Sequence, residues 1–292
     1  HISLSSQELV ELVLGVNSTE YESWENSLKK IASSLSAELF LIRYNPFVNP
    51  DQVYANVQTR LEEERTALGQ EFYPYILKLL AKYWQDFQED RQFKKQVLRR
   101  IAEILPDERI LDTPNHLVEC STDATDLRME LPLLMVAPQE THEVRLVIRL
   151  ANEMNFSIIP RGGGSGLTGG AVPARRRSVV LSMSRMKKII SVDKENLLLS
   201  AQTGVITLNA INAAADQDLL LTVDPASKAA SSLGGNISEN AGGPFAFEYG
   251  TTLDNIYSYT MVLPDGKLIH IKRRNHPRHK ILPQEIAIFD IK

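Results

Sequence analysis

The first hundred residues carry apolar side chains at helical spacing. Between Glu71 and Glu89 the apolar residues recur at i, i+3, i+4 and i+7, with polar and charged residues between them. This spacing predicts a helix with one apolar face, which in a globular protein packs on a core. A docking face for a partner domain is the alternative interpretation of the same stripe, and the core-facing interpretation is favoured.

Cap and breaker residues delimit the helices of this region. Ser5-Ser6-Gln7-Glu8 precedes an apolar stretch and predicts an N-cap. Pro50 suits a first helical turn, Gly69 suits a helix end and Pro106 stops the last helix. The predicted helices are Ser18–Leu35, with Ser18 or Thr19 as cap, Asp51–Leu68, Glu71–Glu89 and Gln92–Leu105. Residues 1–105 are therefore predicted to form a helical N-terminal region.

Past residue 130 the pattern changes to short β-rich runs separated by turns. A first strand is predicted over Leu133–Ala137. Asn255–Leu263 and Lys267–Ile271 flank Pro264-Asp265-Gly266 and predict a β-hairpin. The other predicted elements are strands Phe156–Pro160, Ser178–Met183, Ile189–Val192 and Leu197–Ala201 and helices Thr141–Asn155, with Thr141 as cap, and Thr207–Asp216. Mixed helices and strands with short connections indicate an α+β class.

These patterns divide the chain into four predicted parts. Residues 1–105 form the helical region, residues 106–130 a linker with the turn sequence Asp112-Thr113-Pro114-Asn115, and residues 131–275 a second domain. Residues 276–292 are expected to begin a further segment, because the chain stops in a strand-like run, Glu285–Lys292. The chain is therefore expected to be a portion of a longer protein.

Two glycine-rich segments give the strongest chemical signal in the chain. The first segment reads PRGGGSGLTGGAVP over residues 160–173, and the second segment reads SSLGGNISENAGG over residues 231–243. Free main-chain N–H groups in such loops form concave nests that bind anions such as phosphate. Each segment follows a strand-like run, so the pair predicts one extended ligand held at two points.

The first segment has the spacing of a dinucleotide fingerprint but not its context. Gly164, Gly166 and Gly169 match G-x-G-x-x-G, a motif that requires a strand before it and a helix directly after it. A strand precedes the segment, whereas Ala171-Val172-Pro173 and another strand-like run follow it. A diphosphate would therefore lie on loop amides and not on a helix N-terminus. The lack of a Lys-Ser/Thr pair also excludes a P-loop.

In this order and spacing, the two segments resemble the FAD-binding domain of the FAD-linked oxidases. This is the superfamily of vanillyl-alcohol oxidase and p-cresol methylhydroxylase, and the nearest resemblance is to its glycolate oxidase and D-lactate dehydrogenase branch. The similar stretch covers residues 131–271 and includes the run from Asp224 to Gly266. The resemblance implies a two-subdomain α+β FAD-binding domain of the p-cresol methylhydroxylase type after the helical region.

The resemblance also implies which residues bind FAD. The first segment would wrap the diphosphate, and the second would line the other side of the cofactor. Covalent tethers in this family often use a His within or beside the first loop; no His lies between His142 and His270, which implies non-covalent FAD. The implied cofactor-binding residues are Pro160, Arg161, Gly162, Gly163, Gly164, Ser165, Gly166, Leu167, Thr168, Gly169, Gly170, Pro225, Ser232, Gly234, Gly235, Asn236, Glu239, Asn240, Ala241, Gly242, Gly243 and Ile256.

The activity implied by the resemblance is oxidation of a 2-hydroxy acid, such as lactate or glycolate, by hydride transfer to FAD. The electrons would then pass to an acceptor. Two alternatives stay open: a non-catalytic flavin-binding or interaction module of a larger electron-transfer protein, and another substrate of the same superfamily, such as an aldonolactone or an alcohol. Substrate or electron-transfer domains are expected beyond this chain, and no catalytic residue is assigned.

Composition limits the remaining possibilities. The formal net charge of −4 and the ordinary hydrophobic content of 43% give no sign of a nucleic-acid-binding protein. The single cysteine, Cys120, excludes an internal disulfide or a cysteine-ligated cluster and favours a cytoplasmic protein. No apolar run approaches the ~18 residues needed to span a bilayer.

Several charged residues invite a functional interpretation. Arg161 lies inside the first segment and is interpreted as holding either the loop or the phosphate. Asp224 and Glu239 could act as general bases, but are more simply interpreted as braces for backbone amides. No metal site is predicted. Arg175–Arg177 could act as a charge clamp near the diphosphate, but solvated surface is the favoured interpretation. A docking surface for an acidic partner is the alternative for a second basic group, which is also interpreted as solvated: Lys272, Arg273, Arg274, His276, Arg278, His279 and Lys280.

Overall fold

The computed structural model of the chain describes residues 4–125, 130–275, 281–282 and 284–292. It contains two compact units, His1–Val97 and Leu98–Lys292, each of which is described by itself. Residues 126–129 of the predicted linker lie outside the described residues. The same holds for four members of the predicted basic cluster, namely His276, Arg278, His279 and Lys280.

The first unit is helical, as predicted. Its helices are α1 (Ser6–Leu14), α2 (Ser18–Ser23), α3 (Asn26–Tyr44), α4 (Pro50–Glu63) and α5, which runs from Arg65 to Ala102, past the end of the unit. The predicted N-cap of α1 is confirmed: Ser5 Oγ accepts from the N–H of Glu8 at 3.2 Å, and the Glu8 carboxylate accepts from the N–H of Ser5 at 2.8 Å. Pro50 occupies the first turn of α4, where its missing N–H is harmless.

The single helix predicted over Ser18–Leu35 is wrong. The backbone is extended at Trp24, which separates α2 from α3, and Asn17, directly before the two predicted cap residues, caps α2. The ring of Trp24 is buried against the rings of Tyr21 and Tyr75. Tertiary packing of this ring therefore accounts for a break that helical periodicity cannot show.

The two helices predicted over Glu71–Glu89 and Gln92–Leu105 are one helix, α5. No glycine or proline interrupts the chain between them, and Arg91 at the predicted break pairs through Nη1 with Asp51 on α4 at 2.9 Å. The helix predicted over Asp51–Leu68 ends at Glu63, before Gly69. Gly69 departs from helical angles inside the range of α5, with φ 68° and ψ −171°.

The apolar stripe of α5 faces the core of the first unit, which confirms the core-facing interpretation. Ile76 and Leu80 are fully buried, and so are Leu35 and Leu39 on α3. Tyr83 is also buried, and its hydroxyl donates to the carbonyl of Leu39 at 2.7 Å. Burying each such aliphatic side chain contributes roughly 1.5–3 kcal/mol, so side-chain packing is what stabilises this unit.

The second unit contains a four-stranded sheet in the order β1-β2-β4-β3. β2 (Leu134–Val136), β4 (Ser178–Ser182) and β3 (Ser157–Arg161) run parallel, and β1 (Ile110–Leu111) pairs antiparallel with β2. β4 is central and buried along its length, which accounts for its continuous apolar run. Helix α7 (Thr141–Met154) connects β2 with β3. The carboxyl end of β3 leads directly into the first glycine-rich segment.

The remaining elements confirm the α+β class. An antiparallel hairpin and an antiparallel three-stranded sheet, β7-β8-β9, surround a run of short helices. Their bounds are β5 (Ile189–Asp193), β6 (Leu198–Ala201), α8 (Thr207–Ala215), α9 (Leu233–Glu239), α10 (Ala246–Tyr249), α11 (Thr252–Asn255), β7 (Ser258–Val262), β8 (Leu268–Arg273) and β9 (Phe289–Ile291). The predicted hairpin around Pro264-Asp265-Gly266 is formed by β7 and β8.

Helix α7 is tied to the turn of that hairpin. Arg145 Nε donates to the carbonyl of Gly266 at 3.0 Å, and Asn152 Nδ2 donates to the carbonyl of Pro264 at 2.6 Å. Gly266 has φ 77°, and a Cβ there would lie 2.7 Å from Cγ of Arg149. The turn therefore fits against the helix only because it carries no side chain at this position.

The segment predicted as a linker carries regular structure. β1 lies within it, and the carbonyl of Arg109 accepts from the N–H of Ala137 at 3.0 Å beside the β1–β2 pair. The predicted turn at Asp112–Asn115 is the start of helix α6 (Pro114–Glu119), with Thr113 as N-cap. A strand of two residues and a helix of six are too short to show a period, which is why the sequence indicated only a connection.

Helix α7 is capped by Glu140, one residue before the predicted cap. Glu140 forms a capping box with Glu143. The buried Glu143 carboxylate also accepts from Arg109 Nη1 at 2.7 Å and from the N–H of Gln139 at 2.7 Å. Burial raises the pKa of Glu143, but these hydrogen bonds and the Arg109 charge outweigh it, so the pKa is lowered.

The strand-like end of the chain joins the hairpin sheet. β9 pairs antiparallel with β8, with Lys272 opposite Asp290 and Arg273 opposite Phe289. Residues 289–291 therefore extend a sheet of the second unit, whereas the sequence suggested the start of a separate segment. The pairing joins strands that are far apart in the sequence, so local pattern does not reveal it.

Candidate cofactor-binding site

Arg161, the last residue of β3, turns its guanidinium back under the first glycine-rich segment. Its Nη1 donates to the carbonyls of Thr122 at 2.8 Å and Ala171 at 3.1 Å. Its Nη2 donates to the carbonyl of Glu119 at 3.3 Å. Gly164 has φ +64°, and a Cβ there would collide with this guanidinium. The next regular element is β4, so the segment is a loop between two strands, as predicted.

The second segment was predicted to be a loop, but the structure shows that it contains helix α9. Ser232 caps the helix, with Oγ accepting from the N–H of Gly235 at 3.2 Å, and Asn240 ends it with a left-handed φ of 50°. Two glycines in a helix disfavour it by about 1 kcal/mol each, which is why the sequence suggested a loop. A Cβ on Gly234 would collide with the side chain of Thr203, so close packing requires glycine there.

The two segments touch through their backbones. A Cβ on Gly163 would collide with the carbonyl of Ala230, and a Cβ on Gly162 would collide with Oγ of Ser232. Only glycine allows main chain to approach main chain this closely. The two glycine-rich segments predicted to grip one ligand are therefore brought together in the structure, with Ala230–Ser232 directly behind the first loop.

A buried polar network fixes helix α9. Asn236 Nδ2 donates to Thr207 Oγ1 at 2.8 Å, and Thr207 Oγ1 lies 2.8 Å from Oγ of Ser231. All three residues are buried. Satisfied buried networks of this kind rigidify the elements that they join. The Asn236 side-chain N–H is thus directed to protein partners, although the resemblance implied a contact with the cofactor.

Glu239 links the two segments on their exposed side. Its Oε2 accepts from the hydroxyl of Thr168 at 3.1 Å, and a Cβ on Gly170 would lie 3.2 Å from its Oε1. Asp224 Oδ1 accepts from the N–H of Phe245 at 3.5 Å. Asp224 therefore accepts from a backbone amide, as the bracing interpretation predicts, whereas Glu239 accepts from a side-chain hydroxyl.

The first loop has the donors and the space that a diphosphate requires. In the part of the chain that the structure describes, the main-chain N–H groups of residues 163–170 make no hydrogen bond to other groups of the chain. A Cβ on Gly166 would meet no atom within 4 Å, so the loop surface is open there. Consecutive free N–H groups on an open, glycine-lined surface bind anionic oxygens. The residues present therefore fit the diphosphate of a dinucleotide.

Comparison with known proteins agrees with this geometry. The family described as "FAD binding domain" matches residues 132–272, a range that includes both glycine-rich segments and the hairpin. The matched range makes up just under half of the chain, and residues 132–272 are named the FAD-binding domain after the family that they match. Its β2 and β4 strands, its two segments and the β7–β8 hairpin all fall within the matched range.

The FAD-binding domain is similar to parts of longer curated proteins. The chain is 34% identical over 175 residues to "Glycolate oxidase subunit GlcD" of Bacillus subtilis, covering 60% of this chain and 37% of that protein. It is 39% identical over 140 residues to "D-lactate dehydrogenase" of Anaerostipes hadrus, covering 48% of this chain and 29% of that protein. The chain thus spans about a third of the length of the curated relatives that it matches.

A solved structure confirms the fold of the FAD-binding domain. A crystal structure of p-cresol methylhydroxylase with substrate bound superposes with a TM-score of 0.51, at 20% identity, covering 61% of this chain and 35% of that chain. At this identity the likeness shows the fold alone. It confirms the p-cresol methylhydroxylase type that the resemblance implied.

In the FAD-binding domain, Asp254 and Arg273 hold the turn at the end of α11 that carries Ile256. The Asp254 carboxylate accepts from the N–H of Thr251 at 2.7 Å and from the N–H of Ile281 at 2.9 Å. Burial raises the pKa of Asp254, but these hydrogen bonds and the nearby Arg273 outweigh it, so the pKa is lowered. Arg273 Nη1 donates to the carbonyl of Asp254 at 2.8 Å, which fixes the turn that carries Ile256.

The sequence missed the residues that support the two segments from behind. Thr203, Thr207 and Ala230 carry no motif, and their role follows only from contacts with distant glycines. Asp254 had a usable signal, because Thr251 three residues earlier completes a capping-box pattern. Arg273 was interpreted as solvated surface, which is wrong: it is 2% exposed, because its guanidinium caps the carbonyl end of α11.

The described ranges contain neither a cluster of metal ligands nor a membrane-spanning helix. No group of three or more His, Cys, Asp or Glu side chains there could hold a metal ion. No helix among these residues is long and apolar enough to cross a membrane. Cys120 is a buried free thiol, and burial raises its pKa to about 11.

Proposed function

We propose that this chain is the FAD-binding portion of an FAD-dependent oxidoreductase that oxidises a 2-hydroxy acid such as lactate or glycolate. When bound, FAD accepts a hydride from the carbon that bears the hydroxyl group. The contribution of this chain is to hold and orient the cofactor. The observation that carries this proposal is the backbone contact of Gly163 with Ala230, which joins the two segments beside a loop of free N–H donors.

The substrate class rests on the relatives. Two of these relatives are named "Glycolate oxidase subunit GlcD" and "D-lactate dehydrogenase". Glycolate and D-lactate are both 2-hydroxy acids. An electron acceptor, and substrate or electron-transfer domains outside the chain, complete the proposed enzyme. A cytoplasmic location is part of the proposal, supported by the single, unpaired Cys120.

We assign the cofactor site to the two segments within a domain of residues 131–275. The N–H groups of residues 163–170 bind the diphosphate, and the second segment with Ile256 lines the rest of the cofactor. Arg161, Asn236 and Glu239 act by holding these segments, since their side chains bond to protein groups. FAD is non-covalent, because the first loop offers no His or Cys side chain for a tether.

The cofactor part is tested by a visible absorption spectrum of the purified chain, recorded before and after acid precipitation. We expect flavin bands that pass into the supernatant, which would establish a non-covalent flavin. A colourless protein that also takes up no added FAD would contradict the proposal. Bands that stay with the precipitate would contradict the non-covalent assignment alone.

The substrate part is tested on the full-length protein that contains this chain. We expect D-lactate or glycolate to bleach the flavin under anaerobic conditions and to reduce an artificial acceptor dye. Matched compounds without the carboxylate, such as propanol for lactate, serve as controls. Bleaching by an aldonolactone or a simple alcohol, with none by 2-hydroxy acids, would replace the proposed substrate class.

A further inference from the structure

The Arg161 guanidinium gathers three parts of the chain beneath the first glycine-rich loop. Nη2 reaches the carbonyl of Glu119 at the end of α6, and Nη1 reaches the carbonyl of Thr122 just beyond that helix. Nη1 also reaches the carbonyl of Ala171, where the loop ends. One cation therefore joins the start of the loop, its end and the neighbouring α6 segment.

The middle of the loop rests on the same cation. A Cβ on Gly164 would lie 2.6 Å from Cζ and 3.1 Å from Nη1 of Arg161, and closer still to Nη2. The backbone at Gly164 takes φ +64° there, a left-handed conformation that glycine adopts without strain. The curvature of the loop, and hence the direction of its N–H groups, depends on the guanidinium behind it.

Among the described residues, the positive charge of Arg161 has no acidic ion-pair partner. Its hydrogen-bond acceptors are neutral carbonyls, and in the described part of the chain no carboxylate forms an ion pair with it. Fixed positive charge behind a nest of N–H groups attracts an anion across a short distance. The cation therefore shapes the loop and also adds to its positive potential.

We propose that Arg161 is a positioning residue for the diphosphate of the cofactor, which it serves through the loop and without touching the ligand. This inference rests on the proposed function. It makes the loop and its half-buried cation one anion-binding device, so a change at Arg161 weakens ligands that carry a diphosphate and spares flavins that carry none. A residue needed only for folding would weaken both kinds of ligand alike.

The test compares Arg161→Met, Arg161→Lys and the exposed control Arg175→Met, which removes the same charge from the surface after the loop. Dissociation constants for FAD and riboflavin are measured by fluorescence titration of each apo chain. We expect Arg161→Met to weaken FAD roughly 10- to 100-fold, the loss that follows removal of hydrogen bonds to a charged group. Riboflavin affinity should change less than about threefold, and Arg161→Lys, which keeps the charge but not the fork, should fall between.

Thermal protection by inorganic diphosphate is the second measurement. We expect inorganic diphosphate to raise the unfolding temperature of the wild-type and Arg175→Met chains, and to raise the unfolding temperature of Arg161→Met much less. Equal protection of all three, or equal weakening of FAD and riboflavin in Arg161→Met, would overturn the proposal. A wild-type chain that takes up no FAD contradicts the proposed function instead, and the diphosphate measurement still decides the role of Arg161.

Discussion

The two units of the chain use glycine in opposite ways. In the helical unit, Gly15 and Gly69 have positive φ, and a Cβ on either would meet no atom within 4 Å. In the FAD-binding domain, a Cβ on Gly163 or Gly234 would strike atoms of distant segments. In the first unit glycine supplies a backbone angle at a helix end, and in the second it supplies a surface for close approach.

This difference shows what each unit is built from. The helical unit is stabilised by side chains, such as Leu39 and Leu80, that fill a common core. The proposed cofactor site is shaped by positions without side chains, where main chain lies on main chain. Truncating a buried side chain should therefore destabilise the first unit, and adding a Cβ to a closely packed glycine should disrupt the second.

The largest effect is expected from Gly163→Ala. The new Cβ would collide with the carbonyl of Ala230, so the two segments must separate and FAD binding should be lost. Gly166→Ala adds the same methyl group three residues later in open space, and its apo chain should unfold within about 0.5 kcal/mol of wild type. Urea unfolding measures both apo chains, FAD titration measures Gly163→Ala, and equal free energies of unfolding in the two variants would break the comparison.

The next effect is expected from Leu39→Ala in the helical unit. Emptying this fully buried position should lower the free energy of unfolding by about 2–5 kcal/mol. Leu41→Ala on the same helix, where Leu41 is 42% exposed, should change it by less than about 0.5 kcal/mol. Chemical denaturation followed by circular dichroism checks the pair; a Leu39→Ala chain as stable as Leu41→Ala would show that side-chain filling does not hold this unit.

A smaller and pH-dependent effect is expected from Glu143→Gln. The pKa of Glu143 is lowered on folding, so its contribution to stability is present above its unfolded value and is lost as the pH falls through the folded value. At pH 7 the loss should be about 1.5–3 kcal/mol, the range for hydrogen bonds to a charged group. Urea unfolding across the acid range should show the difference from wild type shrinking; a constant difference would contradict this.

The smallest effect is expected from Gly15→Ala, which places a Cβ at φ 71° and ψ 20°. A left-handed non-glycine residue costs about 1–2 kcal/mol, although no atom stands in the way. Gly15→Asn should cost less, because Asn tolerates this conformation. Thermal unfolding of the two variants sharpens the comparison: equal losses would mean that contact and not backbone angle governs this glycine.

The sequence predicted those features that local pattern records. Ile76 and Leu80 lie on an apolar stripe whose helical spacing predicts that it is buried. The high glycine content of the first segment predicts a loop. The same local signals failed where a distant residue decides. The side chain of Thr203 leaves no room for a Cβ on Gly234, so glycine is required there within a helix. The packing of Trp24 against two tyrosine rings divides a region whose pattern predicts one helix.

Charge was also a poor guide where burial depends on tertiary contacts. Arg273 stands between two exposed cations in the sequence, yet it is buried under α11. Arg161 was predicted to lie in the site, and the sequence left open whether it holds the loop or the phosphate. The structure shows that the guanidinium of Arg161 donates to three backbone carbonyls, and no sequence pattern encodes these partners.

The bridge between Thr168 and Glu239 sets an order of events during synthesis of the protein. The two residues are 71 positions apart, and the tie between Arg145 and Gly266 joins positions 121 apart. A ribosome therefore releases the first glycine-rich loop long before it has made the backbone that this loop contacts. Domains fold as units once their last partners emerge. A nascent chain that ends before residue 230 lacks the carbonyl against which Gly163 lies, so we expect the proposed cofactor site to form late in synthesis.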